Sequence, residues 1–266
     1  MAKRVTFNKD FKSKTGSSKF DNVTDNPRKK NQKWSFGYFF RKLGLYLFYI
    51  WLSTVFAIVL LKFVPIYFTP TMVSRKIDAM AEGKPSQIHS QWTPYSQISK
   101  NYPLAILASE DQLFPDHYGF DFKSMWGAVQ SNMKGKKIKG ASTISQQVAK
   151  NVFLWQGRSW FRKGLEVYFT FMIELVWSKQ RILEVYLNEA EMGKGIFGIE
   201  AAAKKYFKKP AKRLTRTEAA MIAASLPNPV RYTVKPASTY VSRKYPWVLR
   251  QMNNLDGDPD ILKIIR

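Results

Sequence analysis

The sequence contains no cysteine, only two histidines and no glycine-rich phosphate-binding loop. Without cysteine there are no disulfides, so a domain on the outer side of a membrane must be held together by its core. His89 and His117 are too isolated for a zinc-type site. A serine nucleophile of the Ser-x-x-Lys type needs a later Lys-Thr-Gly, yet the only Lys-Thr-Gly, at 14–16, precedes Ser131–Lys134. These absences leave carboxylates as the candidate reactive groups.

Acidic residues are also scarce, with 19 Asp and Glu against 43 Lys and Arg and a net charge of +24. Residues 1–42 hold twelve Lys or Arg, three Asp and few large apolar groups, so we predict a disordered basic tail there. The rest of the chain is basic as well. Such a surface suits phosphate groups or anionic lipid headgroups, and no nucleic acid partner is expected outside a membrane.

A long uncharged stretch, Leu43–Leu61, follows the basic tail. As a helix it reaches about 28 Å, close to the hydrocarbon thickness of a bilayer, so we predict a transmembrane helix over 43–62. A cleaved secretory signal would need a shorter core and a small-residue cleavage site, whereas Phe63-Val-Pro-Ile-Tyr follows here. The preceding Lys and Arg place the N-terminus in the cytoplasm. We therefore expect a single-pass protein whose remaining residues, about 205 of them, lie outside the membrane, in the periplasm if the cell is Gram-negative.

The segment after the predicted anchor divides into three parts. Residues 63–95 contain four prolines and are predicted to form an irregular membrane-proximal segment. Residues 96–232 are predicted to form a mainly α domain, because strand-like alternation is missing. The helices are expected at Leu104–Glu110, Phe122–Met133, Thr143–Val152, Trp160–Trp177, Gln180–Asn188, Ile199–Phe207 and Arg216–Leu226. Residues 233–266 are predicted to be a peripheral wrap with one helix near Trp247–Met252.

Glu110 and Asp111 end an apolar stretch that begins at Ala105. A carboxylate at the end of a buried helix is partly desolvated, which raises its pKa and suits it to proton transfer. The alternative is an ordinary surface acid at a helix end. The pattern alone favours this second interpretation.

The segment 140–151 combines an apolar stripe with a polar one. Ser142 is predicted to cap a helix whose residues Ile144, Val148 and Val152 share one face. The neighbouring polar face would suit sugar hydroxyls or phosphates, or simply face solvent; its members are Thr143, Gln146, Gln147 and Lys150.

A second acidic candidate, Glu166, follows three cationic residues, Arg158, Arg162 and Lys163. The spacings of three and four residues are those of ordinary ion pairs along a helix. The functional alternative is a carboxylate among cations that receive a diphosphate. Spacing does not choose between the two.

These segments together resemble the peptidoglycan glycosyltransferases, which polymerise lipid-linked disaccharide into glycan strands. Glu110-Asp-Gln-Leu-Phe-Pro-Asp-His-Tyr-Gly resembles the motif Glu-Asp-x-x-Phe-x-x-His-x-Gly, and Gly140-Ala-Ser-Thr-Ile-Ser-Gln-Gln is similar to Gly-x-Ser-Thr-Ile-x-Gln-Gln. Arg162-Lys-Gly-Leu-Glu matches Arg-Lys-x-x-Glu, and Lys179-Gln-Arg-Ile-Leu-Glu-Val-Tyr-Leu-Asn matches Lys-x-x-Ile-Leu-Glu-x-Tyr-Leu-Asn. The similarity spans about residues 96–230. Near the C-terminus, Lys244-Tyr245 departs from the family's Arg pair.

The resemblance implies a lysozyme-like, mainly α glycosyltransferase domain behind one transmembrane helix. The length leaves no room for a transpeptidase domain, so a monofunctional enzyme is expected. The implied substrates are lipid II and a lipid-linked glycan chain, with release of undecaprenyl diphosphate and inversion at C1. Cell-wall elongation or division proteins are implied as partners. No cofactor is required, although Mg²⁺ or another divalent cation could supplement the positive charge.

The resemblance also assigns roles to residues. Glu110 becomes the base that deprotonates the sugar hydroxyl, and Glu166 lies close to the leaving group. The implied substrate-binding residues are Asp111, Phe114, His117, Ser142, Thr143, Gln146, Gln147, Lys150, Arg158, Arg162, Lys163 and Asn188. The alternatives are a lytic murein hydrolase, against which the cationic set argues because that enzyme needs no diphosphate site, and a non-enzymatic basic scaffold.

Overall fold

The computed structural model describes residues 36–83, 87–133, 142–157 and 159–265. The helices in these ranges are α1 (Phe36–Leu61), α2 (Pro70–Ala81), α3 (Asn101–Glu110), α4 (Phe122–Met133), α5 (Ile144–Phe153), α6 (Trp160–Val176), α7 (Lys179–Glu189), α8 (Ile199–Phe207), α9 (Arg216–Ser225), α10 (Thr239–Leu255) and α11 (Pro259–Ile265). The strands are β1 (His89–Ser90), β2 (Glu191–Gly193) and β3 (Ile196–Phe197), with 3₁₀ turns at Tyr95–Gln97 and Ala211–Arg213. The mainly α fold class is confirmed.

The chain divides into two compact units, Met1–Leu47 and Phe48–Arg266. Helix α1 is long and apolar enough to cross a membrane. It begins at Phe36 rather than Leu43, so the last residues of the predicted disordered tail are helical instead. Residues 1–35 of that tail lie outside the described residues. Most large apolar side chains of α1 are exposed, as expected of a helix whose neighbour is lipid.

Most helices of the second unit are preceded by a residue with a hydroxyl side chain at the N-cap position. The side chains of Thr69, Ser159, Ser178 and Ser238 each accept a hydrogen bond from a backbone N–H group in the first turn of the following helix. Such N-caps satisfy backbone donors that have no partner inside the helix, typically worth about 1 kcal/mol each. The sequence therefore places these helix starts locally.

Helix α3 is the central element of the core. All residues from Tyr102 to Ala108 are buried, so the helix is apolar on every side and must be surrounded by protein. It packs against α9 and α10, while α5 packs against α6 and α7. The last residue of α3 is Glu110, so this packing fixes the position of the candidate base.

The predicted irregular segment 63–95 is partly wrong, because it contains α2 and β1. Pro70 stands at the start of α2, where its missing N–H would have had no helical partner, and Thr69 caps the helix. Strand β1 pairs in parallel with β3, which pairs antiparallel with β2, giving the order β1-β3-β2. These strands are too short to show an alternating sequence pattern.

The predicted peripheral wrap at 233–266 is also wrong. Helix α10 spans 17 residues, continues through Pro246 and buries Val241, Val248 and Met252. It packs against both α9 and α3, so it belongs to the core. Its side chains can therefore reach the end of α3.

The C-terminal end of α1 is bound to the α6–α7 corner within the second unit. Arg181 donates from Nη2 to the carbonyl oxygen of Leu61 at 2.8 Å and to that of Val64. Trp177 donates from Nε1 to the carbonyl oxygen of Ile58 at 2.8 Å. A guanidinium group at a helix C-terminus satisfies free carbonyl groups and complements the helix dipole. These bonds hold the end of α1 against the helical domain.

Candidate active site

Glu110 lies on the wall of an open cavity of about 470 Å³ at the C-terminal end of α3. Its Oε2 accepts a hydrogen bond from Gln147 Nε2 at 3.1 Å, and its Oε1 accepts one from Ser109 Oγ at 3.3 Å. Gln147 belongs to α5, so the first two sequence motifs meet at this carboxylate. Tyr186 Oη donates to Gln147 Oε1 at 3.3 Å, which turns the amide nitrogen toward Glu110.

The pKa of Glu110 is raised above its ordinary value, and burial is the largest cause. The hydrogen bonds from Gln147 and Ser109 and the charge of Lys244 oppose this rise, whereas Asp111 adds to it. A carboxylate that is both desolvated and held by donors has the raised basicity and fixed direction that a general base requires. The predicted base therefore lies in a suitable environment.

Asp111 is buried and connects three segments. Its Oδ2 accepts from the backbone N–H group of Ile144, at the start of α5, at 3.0 Å. Its carboxylate also lies 3.0 Å from Nε2 of His117, whose Nδ1 accepts from the backbone N–H group of Gly119 at 3.2 Å. His117 therefore carries its proton on Nε2, and this N–H group donates a hydrogen bond to Asp111. Although Asp111 lines the cavity, its bonds give it a positioning role between the first two motifs.

Phe114 is fully buried and has no surface with which to contact a substrate. The ammonium nitrogen of Lys179 lies 4.4 Å from the centre of its ring and donates to Glu174 Oε1 at 2.9 Å. Lys179 also donates to the carbonyl oxygen of His117. These contacts tie the first motif to the start of α7.

The start of α5 is capped by Thr143 and not, as predicted, by Ser142. Thr143 Oγ1 accepts from the backbone N–H group of Gln146, whose side chain accepts in return from the Thr143 backbone. Both residues are buried, so this part of the predicted polar stripe serves the helix itself. Ser142 is exposed and lines the cavity. From this motif, Gln147 reaches the Glu110 carboxylate.

A cationic cluster surrounds Glu166, which is buried in α6. Its Oε1 lies 2.5 Å from Lys163 Nζ and its Oε2 lies 3.4 Å from Arg162 Nη1. Lys150 interacts electrostatically with both Glu166 and Glu110, and burial lowers the pKa of its ammonium group. Among the described residues, the Lys150 ammonium group has no hydrogen bond or ion pair, and Arg162 Nε is buried without a partner. Of these two groups, the Lys150 ammonium group is the one available to an anion, since Arg162 Nε is buried.

The two remaining predicted site residues are Arg158 and Asn188. Arg158 lies outside the described residues. Asn188 is buried and uses its side chain to hold the backbone of Thr93, accepting from its N–H group at 2.8 Å and donating to its carbonyl oxygen at 3.0 Å. Asn188 therefore connects α7 to the segment before α3, away from the residues that line the cavity at Glu110.

Lys244 is a functional candidate that the motifs missed. It lies on α10, stacks on the Trp247 ring at 3.4 Å from its centre, and its charge lowers the pKa of Glu110. Burial in turn lowers the pKa of Lys244, and Glu110 opposes that shift. The only sequence signal was the departure of Lys244-Tyr245 from the family pattern.

The described part of the chain contains no cluster of three or more His, Asp or Glu that could hold a metal ion. The candidate base Glu110 lies on the cavity wall, and the cationic groups Lys150, Arg162 and Lys163 are grouped around a second carboxylate, Glu166. Such a site can accept a proton at one end and stabilise an anion at the other.

Comparison with known proteins identifies the family of the chain. The family model described as Transglycosylase matches residues 76–253. The biosynthetic peptidoglycan transglycosylase of Pectobacterium carotovorum is 50% identical over 210 residues, covering 78% of this chain and 85% of that protein. The protein of the same name from Pseudomonas entomophila is 45% identical over 224 residues, covering 84% and 95%. That from Mannheimia succiniciproducens is 50% identical over 218 residues, covering 82% and 89%. The chain therefore belongs to the transglycosylase family and is a peptidoglycan glycosyltransferase of cell-wall synthesis.

Proposed function

We propose that this enzyme polymerises lipid II by transferring a lipid-linked glycan chain onto the 4-hydroxyl group of a second lipid-linked disaccharide. The observation that carries this proposal is the Glu110 carboxylate, desolvated on the cavity wall and held by Gln147. A sugar hydroxyl is a poor nucleophile until a base takes its proton. In the proposed step, that proton moves to Glu110 as the acceptor oxygen bonds to the donor C1.

The bond between C1 and the diphosphate oxygen breaks at the same time, and undecaprenyl diphosphate leaves with the electron pair. Attack from the opposite face inverts the configuration at C1. Lys150 and Arg162 are proposed to bind the departing diphosphate, supported by the Lys150 ammonium group, which makes no hydrogen bond or ion pair with any described residue, and by the positive charge of Arg162 beside Glu166. Glu166 holds Arg162 and Lys163 in place for this task. Mg²⁺ would add positive charge, and the rate with and without EDTA measures its share.

The topology proposed for this reaction keeps the basic N-terminus in the cytoplasm and the catalytic domain in the periplasm, with α1 crossing the inner membrane. Both substrates are held in that membrane by polyprenyl tails. An anchored enzyme therefore meets them at the bilayer surface. Elongation or division proteins are the proposed partners of such a synthase.

Polymerisation of purified lipid II in detergent tests this function. We expect Glu110→Gln, which removes the base and keeps the shape, to reduce the rate by about 10²- to 10⁴-fold. Asp78→Asn removes an exposed carboxylate outside the site and serves as the control. Full activity in Glu110→Gln would exclude Glu110 as the base. Solubilisation of finished cell walls by the wild-type enzyme would instead identify a hydrolase.

A further inference from the structure

A second cavity, of about 780 Å³, lies between the segment that follows α1, helix α2 and strand β1. Its size is within the range of small-molecule sites. The residues that matter for its chemistry are Tyr67, Phe68, Met72, Val73, Lys76 and Trp92. This membrane-proximal groove shares no lining residue with the cavity at Glu110. The wall on the side of Tyr67, Phe68 and Val73 is apolar, and Lys76 is the one lysine or arginine of the lining. The side formed by β1 and its neighbours adds the polar side chains of Gln87, His89, Ser90 and Gln91.

The position of the groove relative to the bilayer is limited by the chain. Tyr67 follows the last residue of α1, Leu61, by only six residues, a reach of at most about 20 Å. The carbonyl oxygen of Val64 is held by Arg181 and Ile66 is buried, so this connection is fixed to the domain. The groove therefore opens close to the lipid headgroup layer beside the end of α1.

The outer face of α2 has the character of a helix at a membrane surface. Val73, Ile77 and Met80 are 50%, 60% and 65% exposed and lie on one face at spacings of four and three residues. Arg75, on the same helix, is engaged by Glu191 at 2.8 Å. Lys76 makes no ion pair with any described residue. A helix with an exposed apolar stripe and a free cation suits the boundary between acyl chains and headgroups.

We propose that the membrane-proximal groove binds one anionic diacyl phospholipid of the surrounding bilayer. An acyl chain lies along the apolar wall formed by Tyr67, Phe68 and Val73, and the lipid phosphate pairs with Lys76. A bilayer lipid suits this place better than a soluble ligand, since the groove and the exposed face of α2 adjoin the end of a spanning helix. The bound lipid covers apolar surface on α2 that would otherwise face water.

Native mass spectrometry of the full chain in detergent, titrated with phosphatidylglycerol or phosphatidylcholine, tests the proposal. We expect one retained phosphatidylglycerol and weaker retention of phosphatidylcholine. Lys76→Gln is expected to weaken phosphatidylglycerol binding about five-fold, the usual contribution of one lysine near anionic lipid. Val73→Trp, which fills the groove without changing charge, is expected to weaken it by about ten-fold or more. Lys212→Gln, at an exposed lysine elsewhere, is the matched control and is expected to bind as the wild type does.

Four outcomes would overturn the proposal. Equal affinity for the two lipids would show that the phosphate charge does not contribute to binding. Equal binding by the Lys76 and Lys212 variants would show that the lipid binds at another place on the protein. Loss of a dimer peak in Val73→Trp would identify a second copy of the chain as the occupant. Displacement of the lipid by decaprenyl phosphate at equal concentration would assign the groove to a polyprenyl tail. Circular dichroism of each variant verifies folding, and lipid II polymerisation is expected to be unchanged in detergent.

Discussion

Glu189, the last residue of α7, has a side chain that is 1% exposed, and neither carboxyl oxygen has a hydrogen-bond partner among the described residues. Burial raises its pKa from 4.5 to about 8. The folded protein therefore keeps this side chain neutral at pH 7, whereas the unfolded chain ionises it. We expect Glu189→Gln, which is neutral in both states, to remove a pH-dependent loss of stability.

The sign and size follow from proton linkage. Below pH 4.5 both states are protonated and the carboxyl group does not penalise folding. As pH rises from 4.5 to about 8, the unfolded state loses its proton and the folded state retains it, so the free energy of unfolding falls. Each pKa unit is worth about 1.4 kcal/mol, so the wild type is expected to lose about 3 kcal/mol between pH 5 and pH 8 relative to Glu189→Gln.

Urea unfolding of the full chain in detergent, followed by tryptophan fluorescence at pH 5, 6, 7 and 8, measures this difference. The two proteins are expected to have similar midpoints at pH 5 and to diverge progressively, with the variant more stable at pH 8. Asp78→Asn, which removes an exposed carboxylate, is expected to follow the wild type at every pH. A constant offset between wild type and Glu189→Gln across the series would refute the reasoning.

Three further substitutions test the site and its support. Gln147→Ala removes a hydrogen bond that lowers the pKa of Glu110, so the acidic limb of the pH–rate profile is expected to move to higher pH; an unmoved limb would contradict this. Lys150→Met is expected to lower kcat about 100-fold by removing positive charge at the leaving group. Lys212→Met, a substitution outside the site, is the control in the same polymerisation assay. Arg181→Met removes charged hydrogen bonds to the end of α1 and is expected to reduce the free energy of unfolding by about 3 kcal/mol in urea titrations; an unchanged midpoint would show that the bonds contribute little.

Much of the helical framework could be predicted from local sequence signals. The bounds predicted for α4 and α8 are those observed, and those for α6 and α9 differ by one residue at one end. Capping hydroxyl groups explain this accuracy at helix starts, since Ser159 and Thr215 stand immediately before α6 and α9. These signals act within one helical turn and need no knowledge of the fold.

Local signals did not reveal α2, α11 or the full length of α10. The four prolines of 63–95 favoured an irregular segment, yet Pro70 begins α2. Only a short helix near Trp247–Met252 was predicted where α10 spans Thr239–Leu255, with Pro246 inside it. At a first turn, proline removes no helical hydrogen bond. In α10, the burial of Val241, Val248 and Met252 against α3 and α9 outweighs the lost bond, and only the tertiary structure reveals that burial.

Within the site as well, local sequence signals explain some features and the tertiary structure explains the others. Two motif residues, Glu110 and Gln147, are hydrogen-bonded to each other in the structure. The motifs did not distinguish residues that face the cavity from residues that hold the backbone. Gln146 caps its own helix, and Asn188 fixes the backbone of Thr93. All these side chains are polar and belong to motifs, so the sequence alone does not distinguish a substrate-binding role from a structural one. The burial of each side chain and its hydrogen-bond partners in the structure distinguish the two roles.

The ionisation of the candidate base joins parts of the chain that lie far apart in sequence. Burial at the end of α3 raises the pKa of Glu110, while Gln147 from α5 and Lys244 from α10 lower it. These opposing effects have different origins, since the first comes from core packing and the others from single side chains. Lys244 can act only because α10 packs against α3, a contact that the sequence motifs do not show. The pKa of the base is therefore a property of the assembled core, and changes in α10 are expected to alter catalysis as directly as changes in the motifs.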